Sequence, residues 1–528
     1  MTLNDTLTTP ALIAQAAARH GAHFAIESGD DSLTYAELDT ARREAARALL
    51  ACGIASGDRI AIWAPNLPAW IVAALAIHSV GAVLVPINTR MKGMEAGGIL
   101  HDSGARLLFC CGTFLDESYP AMLAPHRPAT LERVVVFDGP PGTGPLDESW
   151  PDFLARGAQI SPDAVHEREA HVTPDTVMDL MFTSGTTGRP KGVMTTHGQN
   201  LRAARDWARI AGVREDDRYL IVNPFFHTFG YKAGWLAALS SGATVLPHRV
   251  FQADEVLRRI AGERVSVLPG PPTLYYALLD APGRAGLDLS SLRIAVTGAA
   301  AIAPVLIGRM REELGFETVL TGYGLTESCG FATLCRHGDD AETVAYTSGR
   351  PMPDVEIRIA GPGGKPLAPD ETGEIWVRGY NVMRGYFNQA DATRDAIDAQ
   401  GWLHTGDLGC IDTHGNLRIT DRIKDMFIVG GFNCYPAEIE RLFAAHPAIA
   451  QVALVGVPDP RLGEVGHAYV VLRPGAPVSA DELNEWARRN MANYKVPRHF
   501  TFVGQLPTSA AGKVLKYRLR ATADAAAQ

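Results

Sequence analysis

The chain has 528 residues, of which 46% are hydrophobic and 20% charged, and this excludes a disordered chain, a collagen and a small disulfide-stapled protein. Its 49 basic and 58 acidic residues give a net charge of -9, which argues against nucleic acid as the main partner. Seven cysteines without CxxC spacing favour free thiols over a disulfide framework or a zinc site, and therefore predict a cytosolic protein.

The first part of the chain carries no readable targeting or membrane segment. Residues 1–10 contain Asp5 and no basic residue, unlike a signal peptide. The most apolar run, residues 69–85, is shorter than the ~20 residues of a spanning helix and contains His78 and Gly81. This run predicts a buried helix followed by a buried strand.

Short β-rich runs alternate with helical stretches from residue 58 to about residue 326, which predicts layered α/β domains. The strand candidates are residues 59–63, 82–85, 133–136, 244–246, 265–268 and 292–296, and helices are predicted over 254–264 and 304–314. From Asp354 a small β-rich subdomain is predicted. A compact terminal unit follows, with a capping-box helix start at Ser479. The boundary is placed near Lys424, giving domains of residues 1–423 and 424–528.

A Gly/Ser/Thr-rich loop, FTSGTTGRPKG at residues 182–192, follows the apolar run 177–181. Such a loop after a strand can direct backbone N–H groups and hydroxyls at a phosphate chain, and Lys191 adds positive charge. It is not a Walker A loop, because Lys191 follows Pro190 and precedes Gly192. The loop is predicted to bind phosphate, with a flexible surface linker as the alternative.

A second loop, TGYGLTE at residues 321–327, departs from a dinucleotide fingerprint at Glu327. Tyr323 could stack on a nucleobase, while Thr326 and Glu327 offer the hard oxygen ligands that Mg²⁺ prefers. A turn with a buried tyrosine explains the same residues equally well.

Three charged residues later in the chain complete the set of candidates. Asp407 and Arg422 lie on either side of a predicted β-connection, and a carboxylate can accept both hydroxyls of a ribose. Lys513 lies on a glycine-preceded loop near the C-terminus. Taken singly, each would be interpreted as an ordinary surface charge.

In this order the segments resemble the acyl-adenylate-forming superfamily, which includes acyl- and aryl-CoA synthetases, firefly luciferase and the adenylation domains of nonribosomal peptide synthetases. The resemblance runs from about residue 58 to residue 513. It implies an α/β fold with a large N-terminal domain of two stacked α/β subdomains plus a β-barrel, and a small mobile α+β C-terminal domain. It also implies ATP, Mg²⁺ and coenzyme A, with a carboxylic acid as substrate.

The resemblance further implies a role for each matching residue. It assigns pyrophosphate binding to Thr183, Ser184, Gly185, Thr186, Thr187 and Lys191, the adenine slot to Gly298, Ala299, Ala300 and Tyr323, ribose binding to Asp407 and Arg422, the α-phosphate and metal positions to Thr326, Glu327 and Thr187, and promotion of adenylation to Lys513. Lys424 falls at the hinge, and Gly430 and Gly431 would let the pantetheine arm of CoA pass, although a tight hairpin turn also explains these glycines. Arg90 matches a position at which some relatives bind the 3′-phosphate of CoA.

The acyl pocket is assigned to the segment NPFFHTFGYKAG at residues 223–234. The resemblance implies that His227 flanks the pocket, although a histidine in apolar company is often structural. The predicted pocket is apolar and roomy, with the lining residues Phe229, Tyr231, Lys232, Ala233 and Gly324. Lys232 either reaches solvent with its ammonium group or meets a carbonyl at the far end of a functionalised acid.

The implied activity is that of an ATP-dependent acid:CoA ligase, which forms an acyl-adenylate and then an acyl-CoA thioester, while its C-terminal domain rotates between the two steps. Residues 226–234, 268–274 and 456–465 resemble in particular the CoA ligases that act on the indanedione-propanoate of bacterial steroid breakdown. Medium-chain, alicyclic and aryl acid ligases share much of this sequence. The alternatives are a luciferase-like or CoA-independent acyl-adenylating enzyme, a kinase-like phosphotransferase and a non-catalytic acyl-binding protein. Whether the chain forms a homodimer is left open.

Overall fold

The computed structural model describes residues 7–183, 190–298, 302, 304–422, 425–429, 432–491, 493–509 and 513–527. The strands up to residue 422 are β1 (Phe24–Ile26), β2 (Leu33–Thr34), β3 (Arg59–Trp63), β4 (Val83–Pro86), β5 (Leu107–Cys110), β6 (Thr113–Phe114), β7 (Glu117–Ser118), β8 (Arg133–Val136), β9 (Glu148–Ser149), β10 (Val177–Thr183), β11 (Lys191–Thr196), β12 (Arg218–Ile221), β13 (Thr244–Pro247), β14 (Ile294–Gly298), β15 (Thr318–Tyr323), β16 (Thr333–Leu334), β17 (Arg350–Pro351), β18 (Val355–Ala360), β19 (Gly373–Gly379), β20 (Gly385–Tyr386), β21 (Leu403–Ile411) and β22 (Leu417–Arg422).

The helices of the same part alternate with these strands along the chain. They are α1 (Thr9–His20), α2 (Tyr35–Ala51), α3 (Pro68–Ser79), α4 (Gly93–Ser103), α5 (Tyr119–Leu123), α6 (Trp150–Arg156), α7 (Pro162–His171), α8 (His197–Ala211), α9 (Thr228–Gly230), α10 (Ala237–Ser241), α11 (Ala253–Glu263), α12 (Pro272–Asp280), α13 (Pro304–Glu312), α14 (Ala341–Tyr346) and α15 (Ala390–Ala396), with a π-helical turn (Tyr231–Leu236) between α9 and α10. Among the described residues, no helix is long and apolar enough to cross a bilayer.

An eight-stranded sheet with the order β20-β11-β10-β4-β3-β5-β8-β9 forms the first layer. Strands β4, β3, β5 and β8 are parallel and almost wholly buried, as expected for apolar strands that are covered on both faces. The predicted strands at residues 59–63, 82–85 and 133–136 are confirmed, and the apolar run 69–85 forms the buried helix α3 and the strand β4.

A second sheet combines β12-β13-β1-β2 with β14-β15-β16-β17, joined through bridges of Val267 to Tyr219 and Ile294. The predicted strands at 244–246 and 292–296 and the predicted helices at 254–264 and 304–314 are confirmed. The strand expected over 265–268 is reduced to the bridges at Val267. The N–H groups of Leu268 and Gly270 still donate to the carbonyls of Ile294 and Val296, so the segment runs beside β14, and Pro269 between them has no N–H to add to the ladder.

A small antiparallel sheet, β18-β19-β21-β22, forms the β-rich subdomain predicted from Asp354 onward. The terminal part contains β23 (Phe427–Val429), β24 (Phe432–Cys434), β25 (Ile449–Asp459), β26 (Gly463–Leu472), β27 (His499–Phe502), α16 (Pro436–Ala444), α17 (Ala480–Asn490) and α18 (Lys516–Ala527). The capping box of α17 is confirmed, because Ser479 accepts a hydrogen bond from the Glu482 N–H and Glu482 accepts one from Ser479.

The terminal part has hydrophobic clusters of its own. One is centred on Phe443, Leu454 and Leu483, and another on Val455 and Tyr469. The large cluster of the N-terminal part is distinct from both and ends at Leu417. This division agrees with two folding units, while the domain boundary at Lys424 stays a prediction.

Candidate active site

The phosphate-loop hairpin, which we define as β10 and β11, brackets the glycine-rich loop. Its last described pair joins Thr183 to Lys191, and the Thr183 hydroxyl donates to the Lys191 carbonyl at 3.5 Å. Because β10 runs parallel to β4, the loop leaves the sheet at a carboxyl edge, where α/β folds bind ligands. The predicted residues Ser184, Gly185, Thr186 and Thr187 lie outside the described residues.

Tyr386 connects two of the predicted site residues. Its hydroxyl donates to Glu327 Oε1 at 2.9 Å, and the Lys191 ammonium lies 4.9 Å from the centre of its ring. Burial and the Glu327 carboxylate raise the pKa of the Tyr386 phenol, so it stays a donor at neutral pH. Sequence analysis missed this residue. Gly385 before it has a φ of +138° and lies close to Thr393, which requires glycine, but a Gly-Tyr pair in the sequence does not indicate the partner Glu327.

The nucleotide residues predicted on separate segments meet at the end of β15. The Tyr323 hydroxyl donates to Asp407 Oδ2 at 2.6 Å, and Asp407 is 4% exposed. Asp407 also lies opposite Arg422 in the β21–β22 ladder, where the backbone but not the side chain of Arg422 is described. The Tyr323 and Asp407 side chains, which are 84 residues apart in sequence, are therefore in direct contact, and we call this pair the nucleotide corner.

Glycines make close backbone contacts around this corner. A Cβ on Gly298 would lie 2.9 Å from the Gly322 carbonyl oxygen on the neighbouring strand. A Cβ on Gly324 would lie 2.1 Å from the Gly330 carbonyl oxygen, a distance that is too short for any side chain at this position. Gly324 therefore allows the turn Thr326–Ser328 to fold back against the end of β15. Ala299 and Ala300 lie outside the described residues.

His227 caps the short helix α9, since its Nδ1 accepts from the Phe229 N–H at 3.3 Å. Burial lowers the pKa of His227 to about 4, and the positive charge of Lys513 contributes in the same direction. The Lys513 ammonium is thus near enough to act on His227 electrostatically, although the two residues lie in different domains of the predicted scheme. His227 is neutral at physiological pH and presents an uncharged imidazole to this region.

Tyr231 and Ala233 lie deeper than a pocket lining requires. The Tyr231 ring is fully buried, stacks on Trp235 with centroids 4.8 Å apart and meets His78 Nε2 through its hydroxyl at 3.3 Å. Ala233 is 1% exposed, and its carbonyl accepts from the Tyr219 hydroxyl. Phe229 is partly buried and packs against the core.

Lys232 is also fully buried, so the expectation that its ammonium group reaches solvent is wrong. Its Nζ donates to Thr195 Oγ1 at 3.0 Å and lies 3.4 Å from Asp179 Oδ1. The physical reason is the carboxylate of Asp179, which provides inside the core the counter-charge that solvent would otherwise supply.

The remaining predicted residues lie around the edges of this region. Lys513 is exposed, and its loop is closed by a hydrogen bond of 2.7 Å from the Ser509 N–H to the Lys513 carbonyl. Arg90 is exposed on the turn after β4, and its N–H donates to Asn88. Within the described ranges, no hydrogen bond or ion pair joins Arg90 to another predicted site residue. Lys424, Gly430 and Gly431 lie outside the described residues.

A magnesium ion fits the donors at the Thr326–Glu327 turn. The described part of the chain contains no group of three His, Cys, Asp or Glu side chains that could hold a metal ion by themselves. Mg²⁺ is usually held by one or two carboxylates together with substrate phosphates and waters, and Glu327 with the Thr326 hydroxyl supplies that kind of partial set.

Comparison with known families identifies the architecture. The model described as AMP-binding enzyme matches residues 13–387, and the model described as AMP-binding enzyme C-terminal domain matches residues 438–513. The chain belongs to the AMP-binding enzyme family. As a member of this family it is an acyl-CoA ligase that forms an acyl-adenylate and uses ATP and CoA with a carboxylic acid.

Two bacterial relatives of this AMP-binding enzyme match nearly its whole length. A 7a-methyl-1,5-dioxo-octahydro-1H-inden-4-yl propanoyl:CoA ligase of Mycobacterium tuberculosis is 49% identical over 98% of this chain and 99% of its own. A ligase of the same description from Rhodococcus jostii is 46% identical over 97% of this chain and 98% of its own. The resemblance to these indanedione-propanoate CoA ligases is thereby confirmed.

Solved structures show the same fold for this AMP-binding enzyme. An anthranilate CoA ligase in complex with anthranoyl-AMP superimposes with a TM-score of 0.89, at 27% identity over 100% of both chains. The o-succinylbenzoate CoA synthetase of Bacillus subtilis in complex with its acyl-adenylate gives a TM-score of 0.79, at 31% identity over 96% of this chain and 97% of the other. The predicted α/β fold with a large and a small domain is confirmed.

Proposed function

We propose that this acyl-CoA ligase activates a propanoate side chain carried by a fused-ring, keto-bearing alicyclic acid. The observation that carries the proposal is the 49% and 46% identity, over nearly the whole chain, to two ligases described by one such substrate. Relatives with other described substrates are less similar, since a feruloyl-CoA synthase of Amycolatopsis is 37% identical and a long-chain fatty acid ligase of Mycobacterium tuberculosis is 36% identical.

The composition of the proposed pocket is consistent with a bulky acid. Phe229, which is partly buried against the core, offers an apolar wall for such an acid. The neutral imidazole of His227 can lie beside a carboxylate without forming an ion pair that would resist its release. The sequence prediction of a roomy apolar pocket supports the same class of acid.

In the first half-reaction, the substrate carboxylate attacks the α-phosphorus of ATP and pyrophosphate leaves. Two anions must meet, so the site has to neutralise charge, and we assign this task to Lys513 together with Lys191. Tyr323 and Asp407 would bind the adenine and the ribose. Thr326 and Glu327 would hold Mg²⁺, which supplies electrostatic stabilisation of the phosphates when it is bound.

In the second half-reaction, the CoA thiol attacks the acyl carbon of the mixed anhydride and AMP leaves. We propose that the C-terminal domain turns about Lys424, so that Lys513 leaves the pocket and Gly430 and Gly431 admit the pantetheine arm. Arg90 would bind the 3′-phosphate of CoA. The proximity of Lys513 to His227 supports an orientation suited to the first half-reaction. A cytosolic location and a homodimer stay predictions.

A panel of acids with product analysis tests the proposed function. Purified enzyme is incubated with ATP, Mg²⁺ and CoA and with octanoate, benzoate, cyclohexanecarboxylate, ferulate or a methyl-dioxo-octahydroindenyl propanoate. We expect AMP, pyrophosphate and thioester from the fused-ring acid with a kcat/KM at least about tenfold above the others, since a matched apolar pocket is worth roughly 1–3 kcal/mol in discrimination.

The Lys513→Ala variant is the internal control of this experiment. It should lower adenylation by about 10²–10³, the usual loss for one transition-state donor, yet it should form thioester from synthetic acyl-adenylate at the normal rate. A preference for octanoate, benzoate or ferulate would overturn the substrate assignment. ADP as the nucleotide product would indicate a phosphotransferase, and adenylate without thioester would indicate a CoA-independent enzyme.

A further inference from the structure

Four polar side chains form a network inside the core of the N-terminal part, and the Tyr231 side chain adds a further hydrogen bond to it at Asp179. Lys232 Nζ contacts Thr195 Oγ1 at 3.0 Å and Asp179 Oδ1 at 3.4 Å, and the Thr195 hydroxyl donates to the same Asp179 oxygen at 2.6 Å. Asn200 Nδ2 donates to the other Asp179 oxygen at 3.0 Å. All four residues are fully buried, so the network makes no exchange with solvent.

The network joins elements to which separate parts of the site belong. Asp179 is on β10 and Thr195 on β11, the two legs of the phosphate-loop hairpin. Lys232 is on the π-helical turn that directly follows His227 and Phe229. One ammonium group therefore ties the hairpin that carries the glycine-rich loop to the segment assigned to the acyl pocket.

Cys329, the residue after the Thr326–Ser328 turn, is buried near the same ion pair. Burial raises the pKa of the Cys329 thiol to about 12, and the charges of Lys232 and Asp179 are close enough to act on it in opposite directions. Gly330 follows, and a Cβ there would lie 2.9 Å from Thr228 Cβ on α9. The turn that carries Thr326 and Glu327 is thus packed against α9 without space for a methyl group.

An ion pair at this place is not explained by stability alone. Replacing a buried pair by apolar side chains of similar volume is often neutral or stabilising, whereas removing one partner is strongly destabilising. What a directional contact adds is a fixed relative position of the elements it joins. The backbone of the turn that carries Lys232 is itself irregular, because Gly234 within it has the non-helical angles φ -90° and ψ -110°.

We propose that Lys232 is a positioning residue, which through Asp179 and Thr195 sets the acyl-pocket segment (residues 223–234) in place relative to the phosphate-loop hairpin and so aligns the acid carboxylate with the α-phosphate of ATP. This inference rests on the proposed function, because it uses the assigned roles of the two segments. In this role Lys232 acts on the substrate through the segment that it positions, and not through the direct contact that the sequence predicted.

The test compares the single variant Lys232→Met with the double variant Lys232→Met/Asp179→Asn. The single change leaves a buried carboxylate without its cation, so it lowers stability and can abolish folding. The double change removes both charges at nearly constant volume, and therefore separates the loss of stability from the loss of alignment. The fastest acid of the panel serves as substrate, whichever acid that is.

For the double variant we expect pyrophosphate exchange to show a kcat/KM for the acid lowered by about 10–100-fold, since a misplacement of about 1 Å can cost 10²-fold. The KM for ATP and the rate of thioester formation from synthetic acyl-adenylate should stay within about twofold. If the pair were only structural, its removal would change the denaturation midpoint and the yield. It would not lower the kcat/KM for the acid while leaving the KM for ATP unchanged.

Two further variants keep the test decisive. Thr195→Val keeps both charges and the shape of the side chain but removes the bridging hydroxyl. It should lower the kcat/KM for the acid by a smaller factor than the double variant does. Arg133→Met/Glu148→Gln removes a buried pair at the sheet edge, 2.6 Å apart, and should change stability without changing the KM for the acid.

Wild-type kinetics for both the double variant and Thr195→Val would overturn the positioning role while leaving the ligase activity intact. Failure of the proposed function is a different result, in which the wild-type enzyme forms no thioester with any acid of the panel.

Discussion

At the scale of single residues, the clearest new contact is the one between Tyr386 and Glu327. The phenol donates to the carboxylate proposed to hold Mg²⁺, and the same ring carries the Lys191 ammonium on its face. A hydrogen bond to a carboxylate contributes about 1.5–3 kcal/mol, and a cation over an aromatic ring contributes about 0.5–2 kcal/mol. Tyr386 therefore holds in place both the group proposed to bind Mg²⁺ and the group proposed to bind phosphate.

The variant Tyr386→Phe separates these two tasks, because it keeps the ring and removes the hydroxyl. We expect the Mg²⁺ concentration for half-maximal adenylation to rise by about tenfold, while the KM for ATP at saturating Mg²⁺ changes little. Calorimetric titration of the enzyme with ATP, with and without Mg²⁺, gives a readout independent of turnover. The matched control is Tyr380→Phe, which loses a 3.2 Å hydrogen bond to Asp206 that lies outside the proposed site. Equal effects of both changes would contradict the role of Tyr386.

At the scale of elements, the site depends on backbone segments that approach one another more closely than side chains allow. Gly324 lies between the end of β15 and the Thr326–Ser328 turn, against the carbonyl of Gly330. Here the neighbour is backbone rather than a flexible side chain, so an added methyl group has to move the whole turn. The position of Thr326 and Glu327 is therefore set by the absence of a side chain at residue 324.

The change Gly324→Ala tests this dependence. We expect a loss of adenylation rate of at least about tenfold, together with a lower denaturation midpoint, because the turn is displaced from the nucleotide corner. The matched control is Gly308→Ala on α13, where an added Cβ meets no atom within 4 Å and helix propensity predicts a gain of about 0.4–1 kcal/mol. An active, stable Gly324→Ala variant would show that the turn is more adaptable than its contacts indicate.

Local sequence patterns predicted the helices and strands better than the contacts between distant segments. The strand before the glycine-rich loop, the helices at α11 and α13 and the Ser479 capping box follow from signals within a few residues of each other, and these predictions are confirmed. The pairing of β20 with β11 joins segments about 190 residues apart, and so the link from Tyr386 to Glu327 had no local signal. For the same reason, the two alternatives for Lys232, solvent or a carbonyl of the substrate, did not include its counter-charge Asp179, which lies 53 residues earlier in the chain.

At the scale of the whole molecule, two buried histidines connect stability to pH. His78 and His197 are fully buried with their rings 5.4 Å apart. Burial lowers the pKa of His197 to about 3 and lowers that of His78 well below its usual value, with His197 adding to the effect. Both are therefore neutral in the folded protein at pH values at which they are protonated in the unfolded chain.

The sign of the effect follows from proton binding. Below the unfolded pKa of about 6.5 the unfolded chain binds two protons that the folded chain does not, so the free energy of unfolding falls as pH falls, by up to about 2.7 kcal/mol per pH unit for the pair. We expect the urea midpoint to decrease steadily from pH 7 to pH 5, and His78→Gln to reduce that slope. The raised pKa of Asp179 acts in the opposite direction. A midpoint that is constant over this range would contradict the assignment.

The separate hydrophobic clusters of the terminal part have a consequence for the evolution of such enzymes. Since the interior of the small unit is built from its own residues, Phe443 and Leu483 among them, a mutation there is compensated within the same unit. Selection that alters the proposed acyl pocket in the large unit can thus leave the interior of the small unit unchanged.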